Sequence, residues 1–291
     1  MKFYGLELLY MKNLTAELSP SPVVKWVGGK RQLLKEIGPH LPAGECTYYE
    51  PFIGGGAVLF YLKPERAVIN DTNSELINLY MVIKEKPEKL IDDLRRHKND
   101  EAYYYRIRAL DRRPDIYSRL TDVERASRII FLNKTCFNGL FRVNKSGQFN
   151  SPFGRYKKPN IINEEKILSI HSYFNSSDIT IRNTDYEDSL EGVSEGDFVY
   201  FDPPYDPVSV SASFTTYTKG GFNRGEQLRL KKVCDRLDSM GVRFLLSNSA
   251  TDFIRELYSS YPHMLSVFAK RTVNSRADRR GAVSELLIMN F

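Results

Sequence analysis

"TYYEPFIGGGAVLFYL", residues 47–62, begins as a short aromatic strand, turns through glycines and continues as an apolar helix. The next apolar run, "RAVIND" at 66–71, predicts a second strand that ends in an acid. A strand, a helix and another strand in succession are typical of a parallel α/β sheet. The glycines also let a ligand approach backbone N–H groups where the helix begins.

The same alternation returns in the last third of the chain. Helical patterns at 224–241 and 251–260 separate apolar runs that predict strands: "DITIRN" (178–183), "DFVYF" (197–201), "VRFLLSN" (242–248) and "SELLIMNF" (284–291). We therefore expect a mostly parallel, doubly wound, Rossmann-like sheet.

The middle of the chain has no such alternation. Helical periodicity runs to about residue 133, and "VNKSGQF" at 143–149 then predicts a β-hairpin with its turn at Ser146-Gly147. We expect three parts: an N-terminal extension at 1–21, a sheet domain at 22–72 and 164–291, and a helical and β-hairpin insertion at 73–163.

Composition narrows the function classes. The 291 residues are 42% apolar and 27% charged, which is ordinary for a folded soluble protein. No apolar run approaches the ~20 residues of a membrane helix, and residues 1–10 lack a signal cleavage site, so we expect a cytoplasmic protein. Three isolated cysteines and four scattered histidines give no metal-ligand spacing, and no disulfide framework is expected.

Positive charge is concentrated rather than spread. The net charge is +6, and residues 125–158 contain eight Lys or Arg and no Asp or Glu. A second basic cluster follows at 270–280. A polyanionic partner is the functional interpretation of these clusters, and a solvated surface is the structural one.

The glycine turn and the acid that follows it form a candidate nucleoside site. Asp71 ends the second predicted strand, 17 residues after Gly54, where a carboxylate can accept hydrogen bonds from ribose hydroxyls. The pattern F-x-G-x-G, with Gly56 as its last residue, favours a nucleoside-bearing cofactor over a dinucleotide. Tight packing of helix on strand is the alternative explanation of the glycines. Trp26 in "KWVGGK" is either a core residue or an aromatic wall for a bound cation.

"FDPPYDP", residues 201–207, is a rigid loop after a buried strand, because two prolines cannot continue a sheet ladder. The Asp202 carboxylate and the Pro203 carbonyl can accept hydrogen bonds from an exocyclic amine and so make its nitrogen more nucleophilic. The pyrrolidine rings of Pro203 and Pro204 hold this geometry, and Tyr205 offers a stacking face. A base in a duplex would have to be flipped out to reach this loop. The alternative is a bare structural turn.

Taken in series, these motifs resemble the Dam-type DNA adenine-N6 methyltransferases of bacteria and phages over nearly the whole chain after Pro22. The resemblance rests on "KWVGGK", "YYEPFIGGGAVLF", "VINDTNSELINLY", "NGLFRVNKSGQFNSPFGRYKKP" and "YFDPPY". It implies S-adenosylmethionine as methyl donor, S-adenosylhomocysteine as product, no metal, and adenine within GATC in double-stranded DNA as acceptor. It assigns catalysis to Asp202, Pro203, Pro204 and Tyr205. It assigns cofactor binding to Trp26, Lys30, Glu50, Pro51, Phe52, Gly54, Gly56, Asp71, Asp185, Tyr186 and Asp202.

The resemblance also assigns DNA contacts to the insertion. Arg142 occupies the position from which similar enzymes read a guanine edge, and Arg is the usual bidentate partner of guanine. Asn138, Leu140 and Pro152 match other positions of the same DNA-facing hairpin. Phosphate contacts are expected from Lys134, Lys145, Arg155, Lys157 and Lys158. The late basic cluster departs from the family's pattern.

Other functions remain open at this point. An RNA adenine-N6 methyltransferase would use the same pocket, although an Arg142 contact to guanine favours duplex DNA. A non-catalytic DNA-binding protein on the same scaffold is a second alternative. Cytosine-C5 methylation is disfavoured because no cysteine follows a proline, and cytosine-N4 enzymes usually carry Ser in place of Asp202. A cognate restriction endonuclease is a further expected partner.

Overall fold

The computed structural model describes residues 19–207, 222–270 and 282–291. Most of the predicted N-terminal extension, and the basic cluster from residue 271 onward, lie outside the described residues.

The described residues form one sheet with the strand order β3-β2-β1-β4-β5-β7-β6. Strands β1 to β5 pair in parallel, whereas β7 lies antiparallel between β5 and β6. The predicted mostly parallel, doubly wound sheet is therefore confirmed. The strands are β1 Tyr48–Glu50, β2 Arg66–Asn70, β3 Asp178–Arg182, β4 Phe198–Phe201, β5 Arg243–Ser249, β6 His263–Lys270 and β7 Ala282–Met289.

Helices cover both faces of the sheet. They are α1 Leu34–Ile37, α2 Ala57–Leu62, α3 Ser74–Glu85, α4 Pro87–Leu94, α5 Glu101–Arg108, α6 Pro114–Tyr117, α7 Asp122–Thr135, α8 Glu164–Ser176, α9 Arg224–Ser239 and α10 Asp252–Leu257. Helix α3 begins at Asn73, whose side chain accepts hydrogen bonds from the N–H groups of Glu75 and Leu76. The helical pattern at 72–97 is broken at Pro87, because the residue before a proline is disfavoured in helical backbone.

The core is divided by the sheet. Helices α3, α7 and α8 pack with β1 and β2 in one apolar cluster, and helices α9 and α10 pack with β4 and β5 in another. A third, smaller cluster lies under the insertion and contains Tyr104, Phe131, Leu132, Cys136 and Phe149. Helix α7 contributes to the first and third clusters, and each large side chain buried there stabilises the fold by ~1.5–3 kcal/mol. The proposed domain boundaries stay a prediction.

The strand order places a crevice at the carboxyl ends of β1 and β4. The chain goes from β1 outward to β2 and β3, and then returns to place β4 on the other side of β1. Such a switch point leaves room for a ligand between the loops that follow the two strands. Within the described residues, no helix is long and apolar enough to cross a membrane.

Candidate active site and nucleic-acid interface

An open cleft lies at this switch point. It brings together five of the predicted cofactor residues, which come from three separate segments of the chain. The cleft is lined by Trp26, Val27, Gly28, Gly29, Lys30, Glu50, Ile53, Gly54, Gly55, Ala57, Val58, Tyr200 and Asp202.

Two glycines shape the loop between β1 and α2. Gly54 has a φ of +48°, and a Cβ there would lie 2.8 Å from Cδ1 of Trp26. Gly56 has a φ of +71°, and a Cβ there would lie 2.8 Å from the Phe60 ring. Backbone conformation and contact both exclude a side chain at these positions. Packing explains Gly56, whereas Gly54 faces a residue that lines the cleft.

Asp71 is half-buried directly after β2 and anchors the glycine loop. One carboxylate oxygen accepts from the N–H of Gly54 at 3.1 Å, and the other accepts from the N–H of Asn73 at 2.9 Å. Burial raises the pKa of Asp71 to about 6, although both hydrogen bonds oppose that rise. The preceding residue, Asn70, donates to the carbonyls of Pro51 and Thr184 and so joins the loops after β1, β2 and β3.

Asp185 and Tyr186 follow β3 at the same edge but differ in exposure. Arg229 of α9 donates to Asp185 at 2.6 and 3.1 Å. Burial raises the pKa of Asp185, but the hydrogen bonds from Arg229 and from the N–H of Glu187, together with the Arg229 charge, leave that pKa below its ordinary value. Tyr186 is only 2% exposed, and its ring packs 5.2 Å from that of Phe52, so its side chain belongs to the core. A ligand in the cleft could meet Tyr186 only through its backbone.

Lys30 connects the glycine-lined side of the cleft to the Asp-Pro-Pro-Tyr loop. Its ammonium lies 2.7 Å from Oδ1 of Asp202, donates to the Gly28 carbonyl, and lies 4.8 Å from the centre of the Tyr205 ring. Burial raises the pKa of Asp202 to about 6, Lys30 opposes this, and the charge of Glu285 adds to it. The pKa of Asp202 therefore lies near physiological pH.

The Asp-Pro-Pro-Tyr loop is held by polar groups behind it. The Pro204 carbonyl accepts from Gln227 at 3.0 Å, and the side chain of Thr251 donates to Asp206 at 2.8 Å. Within the described residues, no donor contacts the Pro203 carbonyl. The loop is thus fixed from the side away from the cleft, which leaves the Asp202 carboxylate and the Pro203 carbonyl available as acceptors.

Glu50 lies under the cleft with 2% of its surface exposed. It accepts from the Tyr48 hydroxyl at 2.8 Å, and burial raises its pKa well above the ordinary value. The raised pKa favours the protonated form of this carboxyl, and its hydrogen bond to Tyr48 joins two side chains of β1. Pro51, the next residue, accepts the hydrogen bond from Asn70 described above.

The predicted hairpin in the insertion is present. The N–H of Asn144 donates to the Gln148 carbonyl, and a turn closes between Asn144 and Gly147. Arg142 donates through Nε to the Asn150 side chain at 2.7 Å. Its Nη2 also donates to the Asn150 carbonyl at 3.4 Å, so the opposite arm of the hairpin orients the guanidinium.

The other predicted base-contacting residues surround this hairpin. Asn138 is exposed with a φ of +59°, Leu140 is half-buried, and Pro152 is exposed and accepts from the N–H of Phe137. Phe137 is 56% exposed. It was not predicted, although a large apolar ring directly before Asn138 is a signal that the sequence contains.

The predicted phosphate-contacting residues fall into two groups. Lys145, Arg155, Lys157 and Lys158 are exposed, and Arg155 lies 3.7 Å from Glu101. Lys134 is half-buried, and burial lowers its pKa to about 8, helped by the charges of Lys166 and Lys25. The positive charges of two lysines from other segments thus act on Lys134 at this face.

One residue joins the cleft to the insertion. Asn133 of α7 accepts from the N–H of Lys25 at 2.8 Å and donates to the Lys25 and Gly139 carbonyls. Next to it, the rings of Trp26 and Phe141 stack with centres 4.5 Å apart. Trp26 is therefore both a wall of the cleft and a contact to the hairpin. Within the described residues, no cluster of His, Cys, Asp and Glu could hold a metal ion.

Comparison with known proteins agrees with this geometry. Residues 26–273 match the model of the D12 class N6 adenine-specific DNA methyltransferases. A type II methyltransferase of Lactococcus lactis subsp. cremoris, M1.LlaDCHI, is 45% identical over 97% of this chain and 99% of its own length. M.MjaIII of Methanocaldococcus jannaschii is 40% identical over 93% of this chain and 99% of its own length. The DNA adenine methylase of Escherichia coli K12 is 34% identical over 91% and 94%, respectively. The chain therefore belongs to the D12 class of N6 adenine-specific DNA methyltransferases.

Proposed function

We propose that this protein transfers a methyl group from S-adenosylmethionine to N6 of an adenine that is flipped out of duplex DNA, within the site GATC. The observation that carries this proposal is the Lys30–Asp202 pair at the switch point. It joins the Asp-Pro-Pro-Tyr loop to a glycine-lined cleft with a half-buried carboxylate, Asp71, near its edge.

The cleft fits a nucleoside-bearing sulfonium. A Cβ at Gly54 would meet the Trp26 ring, so the absence of side chains at the glycines keeps the cleft open beside an aromatic wall. Asp71 uses one bond per oxygen to hold the loop and keeps acceptor capacity for ribose hydroxyls. Trp26 suits a cation through its ring face. When bound there, S-adenosylmethionine would supply an electrophilic methyl group on positively charged sulfur.

The catalytic loop would prepare the acceptor nitrogen. Asp202 and the Pro203 carbonyl would each accept one N–H of the adenine amine, which localises the nitrogen lone pair toward the methyl carbon. The N–C bond forms as the C–S bond breaks with its electron pair on sulfur, and N6 loses one proton. Asp202, with its pKa near 6, can accept that proton. Lys30, through its ion pair with Asp202, would hold the loop beside the cleft.

The insertion would recognise the DNA. Arg142, oriented by Asn150, would donate to a guanine edge in the major groove. A phosphate beside Lys134 would offset the positive charges of Lys25 and Lys166, which favours a polyanion at this face. The exposed Phe137 ring would occupy the space that the flipped adenine leaves. The relatives named type II methyltransferases support a cognate restriction endonuclease as a functional partner.

Radiolabelled methyl transfer tests the proposal. The substrates are a GATC duplex, the same duplex with one base of the site changed, and a matched RNA. We expect labelled N6-methyladenine only in the GATC duplex. Transfer to every duplex would contradict the assigned specificity, and transfer to the RNA alone would contradict the DNA substrate. A cofactor that binds without transfer to any substrate would favour a non-catalytic DNA-binding protein.

A further inference from the structure

Glu285 is a second carboxyl group beside the Asp-Pro-Pro-Tyr loop. It lies near the start of β7, opposite Ser249 of β5 and Val267 of β6. Because β7 runs against the parallel strands, its first residues lie at their carboxyl edge. A residue 80 positions from Tyr205 in sequence is thereby brought to the catalytic loop.

The contact between the two side chains is a hydrogen bond with a defined donor. The Tyr205 hydroxyl donates to Oε2 of Glu285 at 2.6 Å. Burial raises the pKa of Tyr205 well above its ordinary value, and the charges of Asp202 and Glu285 raise it further, so the phenol keeps its proton. Donation from a neutral hydroxyl to a carboxylate is among the stronger hydrogen bonds in proteins.

This bond completes the restraint of the Tyr205 side chain. The backbone on either side is fixed by Gln227 at Pro204 and by Asn248 at the N–H of Asp206. The Lys30 ammonium lies over the ring, 4.8 Å from its centre. These backbone contacts still allow the ring to rotate about its side-chain torsions. The hydrogen bond to Glu285 restrains that rotation at the hydroxyl end of the ring.

We propose that Glu285 is a positioning residue: through the Tyr205 hydroxyl it fixes the aromatic face on which the target adenine stacks beside Asp202. This rests on the proposed function. Misplacing a reacting group by about 1 Å can lower a rate ~100-fold, so a side chain that never touches the base can still control transfer.

The test uses Glu285→Ala, Glu285→Gln, Tyr205→Phe and the double variant Glu285→Ala/Tyr205→Phe. Glu256→Ala, at an exposed carboxylate on α10, is the matched control. Losing a hydrogen bond to a charged group should lower kcat about tenfold to hundredfold in Glu285→Ala and Tyr205→Phe. The KM for S-adenosylmethionine should not change. The double variant should be no slower than the slower single variant, and Glu285→Gln, which keeps an acceptor oxygen, should retain most of the rate.

A pH profile separates this role from a merely structural one. Asp202 is faced by Lys30, Tyr205, Glu285 and Glu50, and the Glu285 charge raises its pKa. Glu285→Gln should therefore move the acid limb of kcat/KM to lower pH, which a loss of packing would not do.

The results separate a failure of the Glu285 role from a failure of the proposed function. Wild-type transfer with an unchanged rate in Glu285→Ala, or additive losses in the double variant, would overturn the role of Glu285 and leave the proposed function standing. Absence of wild-type transfer to any DNA would overturn the proposed function and the positioning role with it.

Discussion

The carboxyl edge of the sheet and the insertion hold their predicted site residues in opposite ways. At the sheet edge, Asp71 and Asp202 are half-buried and bonded to backbone N–H groups or to a buried lysine. In the insertion, Arg142 and Asn138 lie on irregular backbone, and only two isolated bridges, such as Cys136 to Phe153, give it strand character.

The difference agrees with the roles proposed for the two regions. Chemistry on a small ligand needs fixed groups in a dry site, where charges interact strongly and little reorganisation is required. Sequence recognition needs donors that reach into a groove, so they must project from the surface and adapt to the duplex. The predictions below test how separate these two regions are.

The largest effect is expected at the sheet edge. Asp202→Ala removes the carboxylate acceptor for the adenine amine and should lower methyl transfer about a thousandfold. Radiolabelled transfer measures the rate, and binding of the GATC duplex by fluorescence anisotropy should stay within a few-fold of wild type. Loss of DNA binding to the same extent as transfer would show that the regions are not separable.

The next effect is expected in the insertion. Arg142→Ala should cost about 1–3 kcal/mol of discrimination at one guanine, while transfer to the best site continues. Competition between the GATC duplex and duplexes with that guanine replaced measures the loss. Asn150→Ala, which frees the guanidinium without removing it, should show a smaller change in the same direction. Unchanged discrimination in Arg142→Ala would refute the guanine contact.

The two regions also differ in how well local pattern predicts them. Strands β1, β2 and β4 are short, buried and followed by Gly, Asp or Pro, so apolar runs and turn residues locate both them and the site at their ends. Strand β6 was not predicted, because it lies at the edge and leaves Leu265 and Phe268 exposed, which removes the usual alternation.

Local sequence patterns do not predict which residues form hydrogen bonds with distant parts of the chain. Arg229 reaches Asp185 over 44 positions, Glu285 reaches Tyr205 over 80, and Asn133 reaches Lys25 over 108. Each is a polar residue whose partner is chosen by tertiary packing, and nothing in its immediate neighbours specifies that choice. The resemblance to a family predicts which residues serve the site, whereas the structure supplies the side chains that hold them.

Acidification should affect the sheet edge before it affects the fold. The pKa of Asp202 is raised to about 6, so kcat/KM should fall about tenfold per pH unit below that value. The pKa of Asp71 is also raised to about 6, and its protonation should steepen this fall toward about a hundredfold per pH unit. For these two groups the pKa in the folded state exceeds the ordinary 3.8. Between about pH 6 and 3.8 the folded state therefore binds more protons than the unfolded state, and their contribution to the free energy of unfolding rises as the pH falls. Lys30→Met should move the limb to higher pH. A flat rate between pH 7 and 5 would contradict the assignment.

The smallest effect is expected where the regions meet. Phe141→Leu removes the stack on Trp26, worth about 0.5–1.5 kcal/mol beyond buried area, and should weaken cofactor binding and site discrimination each by about two- to tenfold. Calorimetry without DNA measures the first, and duplex competition measures the second.

Phe149→Leu is the matched control, because Phe149 packs on Phe141 from the hairpin side, away from the cleft. It should impair discrimination and leave cofactor affinity unchanged. If Phe141→Leu behaved like this control, the cleft and the insertion would be energetically independent despite their contact.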